Sequence, residues 1–375
     1  MRIEPVCIGS MLVILVLAAC SSAGASVETL HATSLPVQTL PVQTLHATSL
    51  PPTLPATSLP SNPPTPSPLP RLTLDAVGDI MLGRSVGDQV LAKGPALVFA
   101  GVQSVLDQAD LRVGNLECAI TTSEQATHKY FTLKAPPATA QALGLAGFDV
   151  LGVANNHAMD FGATGLADTQ KALAQYGILS VGSGVNAAAA HTPLIIERNG
   201  LRLAFLAYAD VIPENSGFDA RTWIAGPAQP GIAWADPAAI TEDVSAARRK
   251  ADLVIVLLHN GIEITDVIPR VETSQRVEAH AAIDAGATLV LGSHAHVLQE
   301  IESYHGGLIA YSLGNFVFDQ YDGIANATII LRVVLGPAGV LSYDYVPVLI
   351  EHGLPTIITP DRVPAIATRV APLSP

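Results

Sequence analysis

From residue 72 onward, short aliphatic runs alternate with amphipathic stretches. Leu72–Val77, Leu111–Val113, Phe148–Val153 and Leu179–Gly182 read as strands, with Val86–Val105, Ala138–Ala146 and Thr164–Tyr176 as the helices between them. Strand–helix alternation of this kind implies a largely parallel sheet with helices outside it. The style then changes. Leu194–Glu197 and Leu201–Tyr208 flank Asn199-Gly200, a strong short hairpin signal. Pro237–Arg249 has helical composition, and Leu253–Leu258 is an unbroken aliphatic run, expected of a strand buried on both faces. Arg276–Ala285 reads as a helix stopped by Gly286, and Leu289–Leu291 and Gly307–Leu313 as further strands. Thr328–Val334 and Val340–Ile350 alternate on either side of Gly336-Pro337-Ala338-Gly339, as an antiparallel pair does. The Pro-containing tail, residues 352–375, is expected to wrap the surface.

Polar residues gather where these strands end. Asp79, Asn115 with Glu117, Asn156 with His157, His259, and His294 with His296 each follow an apolar run. Ligands of open α/β sheets collect at that carboxyl edge. In extended backbone, His294 and His296 would point the same way, roughly 6–7 Å apart, at about 3.3 Å per residue. Carboxylate, amide and imidazole together suit one or two divalent ions, with manganese, iron or zinc the best matches to imidazole. Each residue taken singly has a plainer reading: Asp79 as a helix N-cap, Asn155 or Asn156 as a turn residue, His259 as core packing. Five strands ending this way is the stronger signal.

Composition narrows the setting. The chain is 49% hydrophobic and 14% charged, with a formal net charge of −13, which disfavours a nucleic-acid partner. Residues 1–20 read as a targeting segment: Arg2, an apolar stretch from Met11 to Ala19, then Leu17-Ala18-Ala19-Cys20. That end resembles a bacterial lipobox, with Cys20 the lipidated residue; an ordinary signal peptide cleaved nearby, or an uncleaved anchor, is the alternative. Either places the mature protein outside the cytoplasm, at the cell surface or in the periplasm. Residues 21–70 repeat Thr-Leu-His-Ala-Thr-Ser-Leu-Pro and are dense in proline, as expected of a semi-rigid linker. Of three cysteines, only Cys118 falls in the folded part, so no disulfide is expected there.

The motifs Gly78-Asp79-Ile80-Met81-Leu82-Gly83-Arg84, Asn115-Leu116-Glu117, Asn155-Asn156-His157-Ala158-Met159-Asp160, His259-x-Gly261-x-Glu263, Gly292-Ser293-His294-Ala295-His296 and Tyr311-Ser312-Leu313-Gly314-Asn315-Phe316 stand in that order. Together they resemble the CapA family of poly-γ-glutamate capsule synthesis proteins, within the calcineurin-like metallophosphoesterases. The resemblance spans about 72–320 and implies an α/β fold: a two-sheet metallophosphoesterase-like sandwich with helices on the outer faces, over 71–351. It implies metal ligation by Asp79, Glu117, Asn156, His259, His294 and His296. It also implies a catalytic His157 oriented by Asp160, with Arg84 facing substrate charge. Met81 and Asn115 stand where ordinary phosphoesterases carry histidine and aspartate, and Asn260 and Ala295 replace Trp and Pro of the family pattern. The expected function is therefore a lipid-anchored capsule-polymer protein with a metal-dependent hydrolase-type site. It would act on an anionic polymer or a phosphate ester, held to the membrane by its N-terminal lipid and partnered by a membrane polymer synthase. The alternatives are a secreted phosphoesterase and a non-catalytic scaffold for that synthase.

Overall fold

Residues in the long strand Leu201–Val211 alternate between two buried environments, and the whole architecture follows from that division. The computed structural model describes residues 69–214, 216–263, 270–319, 323–359 and 362. The targeting segment, Cys20, the linker up to residue 68 and the tail beyond residue 362 lie outside the described residues.

The first series of strands is β1 (Leu72–Ile80), β2 (Leu111–Leu116), β3 (Val150–Gly152) and β4 (Leu179–Val181). The second comprises β5 (Leu194–Arg198), β6 (Leu201–Val211), β7 (Leu253–Gly261), β8 (Leu289–Ser293), β9 (Ile301–Tyr304) and β10 (Gly307–Ala310). The chain then returns through β11 (Asn315–Val317), β12 (Ala327–Gly336), β13 (Gly339–Glu351) and β14 (Leu354–Ile357). One sheet runs β14-β13-β12-β1-β2-β3-β4, with β11 also paired to β1; the other runs β9-β10-β8-β7-β6-β5. In the first, β1 through β4 are parallel; in the second, β6, β7, β8 and β10 are parallel, flanked by antiparallel edges.

Leu201, Leu203, Phe205 and Ala207 of β6 face the first sheet, meeting Leu72, Leu74, Leu111 and Leu331 in the core between the sheets. Ala204, Leu206 and Tyr208 turn outward onto Ile240 and Val244 of helix Pro237–Arg248 and Ala279 and Ile283 of helix Thr273–Asp284. The outer face of the first sheet is covered likewise by helices Arg84–Lys93, Ala140–Ala146 and Gly162–Ala174, through Val86, Val90, Leu143 and Leu173. The result is helix, sheet, sheet, helix, the expected sandwich. Residues 253–258 divide by parity between the two cores, the reason that run carries no polar residue.

Three local expectations change. The helix expected over Val86–Val105 stops at Lys93, because Gly94 has φ +91° and Pro95 starts a separate turn with no N–H to give. The sheet continues past Glu351: His352 and Gly353 both have positive φ, and this two-residue turn returns the chain as β14 rather than as a surface wrap. The expected Gly307–Leu313 strand is cut at Ala310, since Tyr311–Gly314 crosses from one sheet to the other before β11.

Candidate metal centre

Two glycines let the strands that carry ligands come together. A Cβ on Gly78 would lie 1.9 Å from the Gly314 carbonyl oxygen, and one on Gly292 would lie 1.9 Å from that of Tyr311. No other residue tolerates such an approach. Asp79 follows the first glycine, and Ser293 and His294 follow the second. The parallel direction of β1, β2, β7 and β8 then delivers Asp79, Glu117, His259 and His294 to one edge of the sandwich. All four are buried, as are His157 and His296.

Glu117 is the centre of the cluster. Its Oε1 lies 3.8 Å from His259 Nε2, 3.8 Å from His296 Nε2 and 4.0 Å from His157 Nε2. Neither of its oxygens has a hydrogen-bond partner, and His294 Nδ1 is also buried without one. Ligand atoms of Glu117, His259 and His294 lie within 4.8 Å of one another, and so do those of Asp79, Glu117 and His296. Two triads share one carboxylate. A buried carboxylate without donors is costly. Imidazoles too far to donate to it, yet close enough to bind a common ion, are the donor set of a divalent metal site. The residues present fit such an ion.

His294 and His296 arrive differently from the sequence expectation. They do not share one face of an extended strand: both have left-handed backbone, φ +85° and +56°. Their rings are 6.2 Å apart between centroids, and each belongs to a different triad. Left-handed backbone in non-glycine residues is strain of the kind concentrated at functional sites.

Surrounding polar groups orient the ligands. The side-chain Oδ1 of Asn315 is 2.8 Å from His296 Nδ1, so that nitrogen carries the proton and Nε2 faces Glu117. Asp160 Oδ2 likewise takes the Nδ1 proton of His157 at 2.7 Å. Ser293 Oγ is 2.9 Å from His259 Nδ1, and Asn156 Oδ1 is 2.8 Å from His259 Nε2, which places the Asn156 amide at the first triad. Asp79 accepts hydrogen bonds from Asn115 Nδ2 at 2.7 Å and from the His294 N–H at 3.1 Å. Asn115 thus braces the cluster while Glu117 supplies its charge.

Burial sets the electrostatics. It pushes the Asp79 carboxyl from 3.8 up to about 7, against the hydrogen bonds from Asn115 and His294. Glu117 is driven well above the carboxylate range by burial and then by the charge of Asp79. Burial holds His259 and His294 well below the ordinary imidazole value, with the neighbouring imidazoles adding to it, and takes His296 down to about 4. The ring nitrogens are therefore neutral and available as ligands at physiological pH.

The cluster floors a cavity of about 520 Å³ lined by Asn156, His157, His294, His296, Glu214 and Glu263, with Tyr130 and Phe131 exposed at its rim. Arg84 is not among the lining residues: its guanidinium pairs with Asp319 at 2.7 Å and lies over the Phe318 ring, whose other contacts include His296. Met81 is also outside the cluster, its sulfur accepting from the Gly83 N–H. Sequence reading missed Lys129, whose buried ammonium reaches Asp160, Glu214 and the Asn156 carbonyl. A lone lysine in a polar segment, 121–133, gives no pattern by which to find it.

Two curated relatives cover most of this chain. The Capsule biosynthesis protein CapA of Bacillus anthracis is 35% identical over 297 residues, 77% of this chain and 70% of that protein. The PGA biosynthesis protein CapA of Bacillus subtilis is 34% identical over 295 residues, 78% of this chain and 75% of its own length. The model of the bacterial capsule synthesis protein PGA_cap family matches residues 73–320, the stretch that contains every ligand in the two triads. Matched across most of its length by both comparisons, the chain belongs to the PGA_cap family of bacterial capsule synthesis proteins.

Proposed function

We propose that this protein works in the production or handling of a γ-glutamyl capsule polymer outside the cytoplasm, anchored through Cys20, with a metal-dependent hydrolase-type site at the strand-end cluster. One observation carries the site: Glu117, fully buried, has both oxygens without donors and lies among the imidazoles of His157, His259 and His296. The names of the two Bacillus relatives support the polymer. Asp79, Glu117, Asn156, His259, His294 and His296 would hold the ion or ions. A divalent ion there supplies Lewis-acid polarisation of a carbonyl or phosphoryl oxygen.

The protein's own residues divide the remaining work. Asp160 fixes the Nδ1 proton of His157, so Nε2 is the atom that gives or takes a proton at the cavity floor. Asn315 does the same for His296 as a ligand. Tyr130, Phe131 and Phe218 narrow the approach and reduce water around the floor.

Elemental analysis of the purified full chain, beside a His294→Ala/His296→Ala variant, tests the reading. Stoichiometric manganese, iron or zinc in the parent, and its loss in the variant, is the expected result. Hydrolysis of γ-glutamyl oligomers, with an aryl phosphate run in parallel, then separates polymer chemistry from phosphoesterase chemistry. A second reading, a non-catalytic scaffold for a membrane polymer synthase, is favoured by Met81, which stands where ordinary phosphoesterases carry a histidine and whose sulfur accepts from the Gly83 N–H. A folded parent that takes up no metal after soaking selects it.

A further inference from the structure

Lys129 has a fully buried side chain in a chain whose lysines and arginines number only 19. An ammonium has three N–H donors and no acceptor. Here the Asn156 carbonyl accepts one at 2.6 Å, while Glu214 Oε1 at 2.9 Å and Asp160 Oδ1 at 3.1 Å form ion pairs with the nitrogen. The rings of Phe218 and Trp223 lie 5.0 and 5.2 Å from the nitrogen, within cation–π range. Burying a charge costs several kcal/mol unless it is paired, and here two carboxylates and one carbonyl surround it.

The three oxygens belong to parts with different tasks. Glu214, with Phe218, belongs to the cavity wall after β6. Asp160 holds His157, its Oδ2 also accepting from the Leu133 N–H. Asn156 presents Oδ1 to His259 Nε2. One ammonium therefore fixes the backbone of a metal-facing amide, the carboxylate behind the cavity histidine and the wall opposite both.

Resting on the metal reading above, we propose that Lys129 is a positioning residue for the metal centre: it holds the 156–160 loop so that Asn156 Oδ1 and His157 Nε2 face Glu117. It touches neither ion nor substrate. Removing a group that orients ligands from behind typically costs 10–100-fold in metal affinity.

Cobalt(II) is the probe, because its visible absorption reports coordination geometry. The full chain and a Lys129→Met variant are titrated with cobalt while the spectrum and thermal unfolding are recorded. The expected result is a cobalt affinity lower by about tenfold or more with altered band positions or intensity. A folded variant with the parent's affinity and spectrum overturns the proposal and leaves the metal reading intact. Should Lys129→Met fail to fold, because Asp160 and Glu214 would be left buried and uncompensated, Lys129→Met/Glu214→Gln is compared with Glu214→Gln alone, with the same two outcomes. A parent that binds no cobalt refutes the metal reading, and this proposal with it.

Discussion

Replacing Asp79 by asparagine is expected to stabilise the metal-free protein progressively as pH rises. In the folded chain burial raises this carboxyl from 3.8 to about 7. Below the unfolded value both states are protonated and the shift has no effect. Between the two values the folded state holds a proton that the unfolded state sheds, so stability falls as pH rises. At about 1.4 kcal/mol per unit, the loss is about 1.7 kcal/mol at pH 5 and saturates near about 4 kcal/mol above pH 7. Asparagine carries no such cost. It does place an NH₂ against either Asn115 Nδ2 or the His294 N–H, both of which donate to Asp79. That mismatch costs about 1–3 kcal/mol at every pH. The pH dependence of the difference is therefore the clean quantity: Asp79→Asn should gain about 2.5 kcal/mol on the parent between pH 5 and pH 8. Urea unfolding in EDTA, followed by the fluorescence of Trp223 and Trp234, measures it. A difference constant across that range to within about 0.5 kcal/mol refutes the reasoning. Added manganese should reverse the ranking, because the ion stabilises the chain with both triads more than the variant, which keeps only Glu117, His259 and His294.

Metal affinity itself should weaken as pH falls below about 7, where Asp79 takes up a proton, rather than near the ordinary histidine value; isothermal titration across that range checks it. With burial holding His296 near 4, imidazole protonation contributes only at lower pH, and retention of full affinity at pH 5 contradicts this assignment. Gly292→Ala should lose about 3 kcal/mol or more, because its Cβ meets the Tyr311 carbonyl rather than a movable side chain; a melting temperature unchanged from the parent rules that out. Cys118, buried and pushed up to about 12, should resist iodoacetamide in the native protein and react once it is unfolded, as mass spectrometry will report.

The sheet edge was legible because local pattern and global fold agree there. Asp79, Glu117, His259 and His294 each end an apolar strand, and parallel pairing converts equal positions in sequence into one place in space. What stayed hidden depends on contacts with no local signature. Arg84 follows Gly83 as the motif expects, yet its pairing with Asp319 spans 235 positions of chain. Asn260 gives its amide to Glu278 at 2.6 Å, on the far side of β7 from the cluster, a destination that strand parity indicates but residue type does not. The two triads could not be separated in the sequence either. A His-x-His spacing gives a distance between rings, whereas the left-handed backbone at both histidines decides which carboxylate each one meets.

Within each sheet the strands that deliver ligands run parallel, so β1 has a front and a back. Asp79 is at the front; Leu72, seven residues earlier, lies about 23 Å behind it at the rise of an extended strand. The start of β1 is therefore remote from the cavity floor, and a label or cross-link placed at the exposed Arg71 reports on the domain without touching a ligand.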